Sequence, residues 1–353
     1  MTNTLYRRPL PEDLIAFSST RGRAVFREAL ALGGLDGYFQ LAEQFHTQAD
    51  PAFCGLGSLV VALNALGVDP GRLWKGPWRW FAEELLDCCI PLERVRERGM
   101  NLDELACLAR CNGAQVQLQR AESSDVDALR AALAQAARGE SVVIAAYDRA
   151  SLGQTGSGHF SPLGGFHAER DLALILDVAR FKYPPHWAST LALWRAMGPI
   201  DPDTGRSRGW LVLRASPGAA GLGFSLRCAE DSLAGLSDRL RALRTSNAQQ
   251  LTALVDAARP LAHLVERREP TTPLHAERLA RARTALQALA LYAEVRPLID
   301  RPEEATLILL AIAPDLAPTQ RTWLRAEAAQ DEALRDELDH LRAQLEALTT
   351  YAS

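Results

Sequence analysis

Two apolar runs on either side of a polar turn set the strongest constraint on what this chain can fold into. They are residues 156–166 (Gly-Ser-Gly-His-Phe-Ser-Pro-Leu-Gly-Gly-Phe) and 172–178 (Leu-Ala-Leu-Ile-Leu-Asp-Val), separated by His167-Ala168-Glu169-Arg170-Asp171. The pattern predicts a β-hairpin and therefore an antiparallel sheet. Paired residues in a hairpin have a constant index sum. A turn at Glu169-Arg170 thus sets His159 opposite a position only about two or three residues from Asp177. Cross-strand neighbours lie roughly 5 Å apart and diagonal ones about 7–8 Å, so a histidine and a carboxylate are expected on neighbouring strands.

A second stretch carries a nucleophile. Gln48-Ala49-Asp50-Pro51-Ala52-Phe53-Cys54-Gly55-Leu56-Gly57-Ser58 runs straight into an apolar helix that stops at Gly67. A thiol in the first turn of a helix is surrounded by unpaired backbone N–H groups at the positive end of the helix dipole, which favours the thiolate. Gln48, six residues earlier, can offer its amide to an oxyanion formed at a carbonyl that Cys54 attacks. Taken singly, a cysteine at a helix start is more often a small hydrophobe, and an aspartate at a strand end a turn cap. Together Cys54, His159 and Asp177 supply nucleophile, base and orienting acid in one chain order. Their helix–strand–strand placement resembles that of papain-like cysteine peptidases.

The rest of the chain divides by composition. Up to about residue 215, helices alternate with strands. Helices are expected over 21–32, over 101–112 behind an Asn101 cap, and over 125–137; residues 37–46 are read as extended chain. Strands are expected over 115–118, 141–147 and 209–213. After Ser216-Pro217-Gly218 the chain becomes rich in Ala, Leu and Arg, and no strand is expected. Helices are expected near 231–258, 274–292, 302–312 and 318–348. The last carries Leu334, Leu338, Leu341, Leu345 and Leu348 as a stripe about two heptads long, which favours one helix of an intramolecular bundle over a coiled-coil seam. The fold class is therefore α+β: a catalytic domain over residues 1–219, then an all-α C-terminal domain over 220–353.

Composition excludes several classes of function. A net charge of −4 gives no electrostatic case for nucleic acid or an anionic membrane. The longest apolar run, 307–313, is far too short to span a bilayer, and the first residues lack the apolar core of a signal peptide. A cytoplasmic protein with reduced thiols is expected, since Cys54, Cys88, Cys89, Cys107, Cys111 and Cys228 do not resemble a disulfide framework. Cys107 and Cys111 share a helix face and, like the adjacent Cys88 and Cys89, are candidates for a soft metal. Two ligands define no fixed site, and inert thiols are at least as good a reading.

Residues 48–66, 156–166 and 175–187 (Ile-Leu-Asp-Val-Ala-Arg-Phe-Lys-Tyr-Pro-Pro-His-Trp) closely resemble the phytochelatin synthases, the glutathione γ-glutamylcysteinyltransferases. The opening Leu5-Tyr6-Arg7-Arg8-Pro9-Leu10-Pro11 and the cysteines at 88, 89, 107 and 111 are also similar to the plant-type members, and the resemblance covers roughly residues 1–215. It implies a papain-like fold with Cys54, His159 and Asp177 as the triad and Gln48 in the oxyanion hole. It also implies γ-Glu-Cys transfer from glutathione to a second glutathione or a growing phytochelatin, with release of glycine, in the service of heavy-metal detoxification. Water as acceptor would make the chain a glutathione deglycylase instead. The resemblance assigns the γ-glutamyl end of the acyl group to Asp201 and Arg208. Arg180 and Tyr183, just past Asp177, are candidates for the second substrate. No organic cofactor is implied; cadmium, zinc and copper ions are expected as activators, as metal–glutathione thiolates. The C-terminal region departs from the plant-type pattern because it holds only Cys228. Its expected role is to stabilise the catalytic half or to mediate dimerisation.

Overall fold

The computed structural model describes residues 8–70, 74–86, 90–215, 223–226, 251–267, 270, 273–316, 318–325 and 331–350. In chain order the first part contains β1 (Ile15–Ala16), α1 (Thr20–Ala31), α2 (Asp36–Gln44), α3 (Cys54–Ala65), α4 (Leu92–Arg98), α5 (Leu102–Cys111), β2 (Ala114–Arg120), α6 (Val126–Ala136) and β3 (Val142–Asp148). It continues with β4 (Gly158–His167), β5 (Leu172–Ile175), β6 (His186–Ser189), α7 (Thr190–Met197), β7 (Ile200–Asp201), β8 (Arg206–Ser207) and β9 (Gly209–Ala215). The later part contains β10 (Phe224–Leu226), α8 (Leu251–Ala262), β11 (Val265–Arg267), α9 (Pro273–Gln287), α10 (Ala290–Val295), α11 (Pro302–Ile312), α12 (Pro318–Arg325) and α13 (Glu332–Thr350).

Seven strands form one antiparallel sheet in the order β1-β6-β5-β4-β3-β9-β2. Its central strands read as continuous apolar runs because both faces are covered. On β3, Val142, Ile144 and Ala146 enter one core, while Val143, Ala145 and Tyr147 enter the other. Helices α6 and α7 pack on the second face; α3 and α5 pack on the first. Helix α3 is apolar on every side because residues Gly55 to Leu63 are all buried. This mixed helix and antiparallel-sheet architecture is the α+β class.

The hairpin forms with an irregularity that the sequence does not announce. His167 pairs with Leu172 and Phe166 with Ala173, but the register shifts between Leu163 and Gly165. This bulge at Gly164 displaces the remainder of the pairing by one residue and draws Asp177 toward His159. Residues 37–46 are not extended: most of them lie in α2, whose Leu41 is buried and whose Tyr38 packs edge-on against Phe26 at 5.0 Å. Aromatic and apolar side chains at helical spacing, with Asp36 in the first turn, outweigh local β propensity there.

The later part is not purely helical. Strands β10 and β11 pair antiparallel, Ser225 opposite Glu266. Three-residue strands are too short for alternation to register in the sequence. Side chains of α13 hold them in place: Glu337 accepts the Gly223 and Phe224 N–H groups, and Gln344 accepts that of Leu226. Leu334, Leu338, Leu341 and Leu345 are buried within the chain, where α13 packs on α5, α9 and α11. That seam is therefore occupied intramolecularly. The apolar core continues from α3 and α5 into α8, α11 and α13 without a break.

Candidate active site

The site is assembled from three consequences of local sequence. Cys54 is the first residue of α3, reached through the loop that carries Gln48. His159 is the second residue of β4, opposite Tyr147 of β3. Asp177 lies just past the end of β5, and the Leu176 N–H still donates to the Pro162 carbonyl at 2.9 Å. Gly57 lets the helix and the loop meet, since a Cβ there would lie 2.9 Å from Glu83 Oε1 and 3.2 Å from Gln48 Cβ.

His159 Nε2 lies 3.0 Å from Asp177 Oδ1, and both side chains are buried. The Cys54 thiol and the His159 ring line one cleft, and the ring and the Phe160 N–H both act on the thiol's titration. With Nε2 turned to Asp177, Nδ1 is the ring nitrogen left for the thiol. Asp177 Oδ1 also accepts the Ala179 N–H at 2.9 Å. Burial pushes the Cys54 thiol up, but the His159 charge and hydrogen bond, the Phe160 N–H and Arg149 outweigh it and hold the thiol below its ordinary value. For His159, burial favours the neutral ring and Arg149 opposes protonation, yet Asp177 and Cys54 prevail and raise its pKa. Asp177 also resists burial: the charges of His159 and Arg149 keep it well below the usual carboxylate range. The arrangement is a thiol and an imidazole whose electrostatics favour the thiolate and the imidazolium, backed by a carboxylate.

A cleft of about 440 Å³ opens over this pair, lined by Cys54, His159, Asp201 and Arg208 among others. Asp201 comes from β7 and Arg208 from the junction between β8 and β9. Arg208 is anchored through Nη1 to the carbonyls of Pro199 at 2.9 Å and Ile200 at 3.4 Å. Gly158 leaves room for it, since a Cβ there would be 3.3 Å from Arg208 Nη2. An acid and a base on one wall suit a zwitterionic amino-acid group.

Gln48 sits beside the site but is turned into its own loop. It is 4% exposed, and Nε2 donates to the carbonyls of Asp50 at 2.7 Å and Pro51 at 2.9 Å. Its backbone N–H donates to the Val178 carbonyl at 3.1 Å, which docks the loop next to Asp177. Arg180 and Tyr183 are not brought to the cleft. Arg180 is exposed, with its guanidinium 5.0 Å from the centre of the Phe45 ring. Tyr183 is 1% exposed, and its hydroxyl accepts the Thr155 N–H at 2.8 Å. The chain between them turns so that Phe181 and Lys182 face the cleft instead.

Sequence reasoning missed Arg149, which lies 3% exposed against both His159 and Asp177. The register between β3 and β4 is the signal that could have found it, because Asp148 pairs with Gly158 and the Arg149 N–H donates to Ser157. Cys107 and Cys111 are both buried in α5 within the core. Cys88, Cys89 and Cys228 lie outside the described residues. Among the described residues, no three His, Cys, Asp or Glu side chains come together as a metal site.

A family model described as phytochelatin synthase matches residues 5–210, more than half of the chain. The chain belongs to the phytochelatin synthase family. It is 50% identical over 231 residues to glutathione gamma-glutamylcysteinyltransferase 1 of Arabidopsis thaliana, covering 65% of this chain and 48% of that protein. It is 49% identical over 231 residues to glutathione gamma-glutamylcysteinyltransferase 1 of Triticum aestivum, covering 65% and 46%. The glutathione gamma-glutamylcysteinyltransferase of Schizosaccharomyces pombe is 44% identical over 214 residues, covering 60% and 52%. The chain thus spans about half the length of the curated relatives it matches. As a phytochelatin synthase family member it carries the thiol, histidine and carboxylate inside the matched region, and none of the later helices falls within it. No helix among the described residues is long and apolar enough to cross a membrane.

Proposed function

We propose that this chain is a phytochelatin synthase, transferring γ-Glu-Cys from one glutathione to another, or to a growing phytochelatin, through a Cys54 acyl-enzyme. The observation that carries the reading is the Cys54–His159–Asp177 arrangement at the floor of a cleft walled by Asp201 and Arg208. Asp201 and Arg208 hold the ammonium and carboxylate of the γ-glutamyl group, which brings the Cys–Gly carbonyl over Cys54. The thiolate attacks that carbon. The oxyanion is held by the Cys54 backbone N–H, in the first turn of α3, and by Gln48, which exchanges one of its loop carbonyl contacts for it. His159 protonates the amide nitrogen, the C–N bond breaks, and glycine departs. The α-amine of the acceptor then gives its proton to His159 and attacks the thioester, restoring the thiolate. Asp177 holds the ring and stabilises the imidazolium without taking its proton.

In this reading residues 1–219 form a papain-like catalytic domain and the remainder a mainly helical domain that braces it, in a reducing, cytoplasmic setting. Cadmium, zinc and copper enter as thiolate complexes of the substrate. Water as acyl acceptor gives the second reading, a glutathione deglycylase. Incubating the protein with glutathione and cadmium and analysing the peptides by mass spectrometry separates the two. Products of the form (γ-Glu-Cys)n-Gly with two or more repeats support transfer, whereas glycine with γ-Glu-Cys alone sinks it.

A further inference from the structure

We propose that Arg149, held from behind by Gln154 and His186, is a positioning residue that fixes the His159–Asp177 pair and keeps its imidazolium acidic enough to release a proton. The inference rests on the triad of the proposed reaction and deepens it.

Arg149 follows β3 and precedes the short 3-10 turn Ala150–Leu152. One of its nitrogens, Nη2, lies 2.9 Å from Asp177 Oδ1, 2.8 Å from Oδ2 and 2.8 Å from His159 Nε2. Guanidinium nitrogens only donate. When the ring is neutral, having given up its Nδ1 proton, Nε2–H stays turned to Asp177 and Nη2 donates to the same carboxylate. When Nδ1 is protonated as well, both of these hydrogen bonds are kept. The guanidinium is thus satisfied in both states. In the second it also competes for the Asp177 charge and repels the imidazolium. A histidine that must give its proton to a departing amine is served by such a competitor, because an unshared carboxylate would hold that proton more tightly.

The orientation of Arg149 is dictated link by link. Its other terminal nitrogen, Nη1, donates to Gln154 Oε1 at 2.6 Å, which fixes the carboxamide orientation. Gln154 Nε2 then faces His186 Nε2 at 3.1 Å as a donor, so that ring nitrogen must be the acceptor. The His186 proton therefore resides on Nδ1, which donates to the Pro184 carbonyl at 2.9 Å. A backbone carbonyl at one end and a carboxylate at the other leave one hydrogen-bond polarity for the chain between them. His186 is fully buried, and burial holds it in the neutral form this chain requires. The Tyr183 ring lies 5.1 Å beneath the guanidinium and closes its lower face.

The other groups around the pair are accounted for. Cys54 faces His159 from α3. Tyr147 meets it edge-on from β3 at 5.7 Å, its hydroxyl 3.2 Å from Ser161 Oγ. Lys182 adds a cation near Arg149 from the loop after Asp177, with its ammonium donating to the Thr155 carbonyl at 2.7 Å. Arg208 stands beyond Gly158. None of them touches both His159 and Asp177 as Arg149 does.

The deciding measurement reads the thiol directly, without glutathione. Alkylation of Cys54 by iodoacetamide is followed by mass spectrometry of its peptide, from pH 4 to pH 10, in the full chain and in Arg149→Met, Arg149→Lys and Gln154→Met. The Arg149 charge lowers the Cys54 thiol, so loss of that cation is the change Cys54 feels on the acid limb. The alkylation midpoint rises by about one pH unit in Arg149→Met, or about tenfold slower reaction well below the wild-type midpoint. It rises by a smaller amount in Gln154→Met and returns close to wild type in Arg149→Lys. The alkaline limb of glycine release moves up as well, because His159 loses an opposing charge and gains an unshared carboxylate. Superimposable alkylation profiles for wild type and Arg149→Met overturn the inference. If Arg149→Met fails to fold by circular dichroism, an unshifted Gln154→Met profile overturns it. A shifted midpoint together with absence of any peptide product from glutathione supports the inference while removing the proposed reaction.

Discussion

Glu83 accepts the backbone N–H of Ala49 through Oε2 at 2.8 Å and so ties a buried carboxylate to the loop that carries Gln48 and Cys54. Its other oxygen lies 3.4 Å from His46 Nε2, just before the same loop. The His46 pKa is raised, chiefly by this hydrogen bond to Glu83, with burial opposing it. One carboxylate therefore fixes both the entry to the loop and its first turn, and the loop in turn fixes where α3 begins.

Glu83→Ala leaves the Ala49 N–H without its acceptor and opens space beside Gly57. Loss of a buried acceptor costs about 1–3 kcal/mol, to be read as a lower denaturant midpoint with an unchanged slope. Because Cys54 is carried by the same loop, turnover of glutathione should fall more than stability does, by about tenfold or more. Equal stability and turnover in the variant and the wild type would remove this role.

The pH dependence follows from the site's charges. Cys54 is lowered and His159 raised, and both shifts favour a thiolate–imidazolium pair between the two titrations. Acylation should fall as pH drops through the lowered Cys54 value, where the thiolate is lost. It should fall again as pH rises through the raised His159 value, where no proton is left for glycine. The stability signs differ between the partners. The raised His159 contributes stability that is complete below its unfolded value near 6.5 and is lost as pH rises through its folded value. The lowered Asp177 contributes stability that is present above its unfolded value near 3.8 and is lost as pH falls through its folded one. A bell-shaped profile of kcat/KM that becomes flat in Cys54→Ser checks the first part. Urea midpoints measured across acid pH in Asp177→Asn check the second.

How much of this was legible in the sequence depends on how local each cause is. Asn101 and Glu104 announce the start of α5, and the structure has the reciprocal capping box, Glu104 N–H to Asn101 and Asn101 N–H to Glu104. The strands 141–147 and 209–213 were legible because burial on both faces makes them apolar throughout. The nearness of His159 and Asp177 followed from hairpin register, although the Gly164 bulge that brings them to 3.0 Å left no local mark. Arg149 reads as an ordinary charged residue after a strand. Its meaning arises only when β3, β4 and the loop after β5 are side by side. Arg180 and Tyr183 were singled out by closeness in sequence to Asp177. The turn through 180–183 sends one to solvent and the other into the core.

Asp201 and Arg208 define the wall that takes the γ-glutamyl group in the proposed reaction. Arg208→Lys keeps a charge but loses the planar guanidinium, whose Nη1 bonds the Pro199 and Ile200 carbonyls and leaves its other nitrogens for the ligand. KM for glutathione should rise by about tenfold or more in Arg208→Lys and in Asp201→Asn. The rate of Cys54 alkylation by iodoacetamide should stay unchanged, since neither residue is hydrogen-bonded to the triad. A fall in kcat with unchanged KM would move these two residues from binding to the chemical step.

Among the side chains that join the later helices to the first part of the chain, one is polar, buried and bonded on both sides. Gln344 of α13 is fully buried; its Oε1 accepts the Leu226 N–H of β10 at 2.7 Å, and its Nε2 donates to the Cys111 carbonyl at the end of α5 at 3.2 Å. The carbonyls at a helix C-terminus have no partner within their own helix, so this amide fills a place that water cannot reach. Leu341 and Leu345 bury beside it against the same core. Gln344→Ala removes both hydrogen bonds and should cost about 1–3 kcal/mol for the buried Leu226 N–H that loses its acceptor. Gln344→Glu keeps the acceptor and loses the donor, so it should cost more than a neutral change would, because the carboxylate is buried against a carbonyl. If the two halves are energetically joined here, both variants lower one cooperative unfolding transition. If they unfold independently, calorimetry of Gln344→Ala resolves two transitions, with the half that carries Cys54, His159 and Asp177 left at its wild-type temperature. The continuous core from α3 through α13 predicts the single transition.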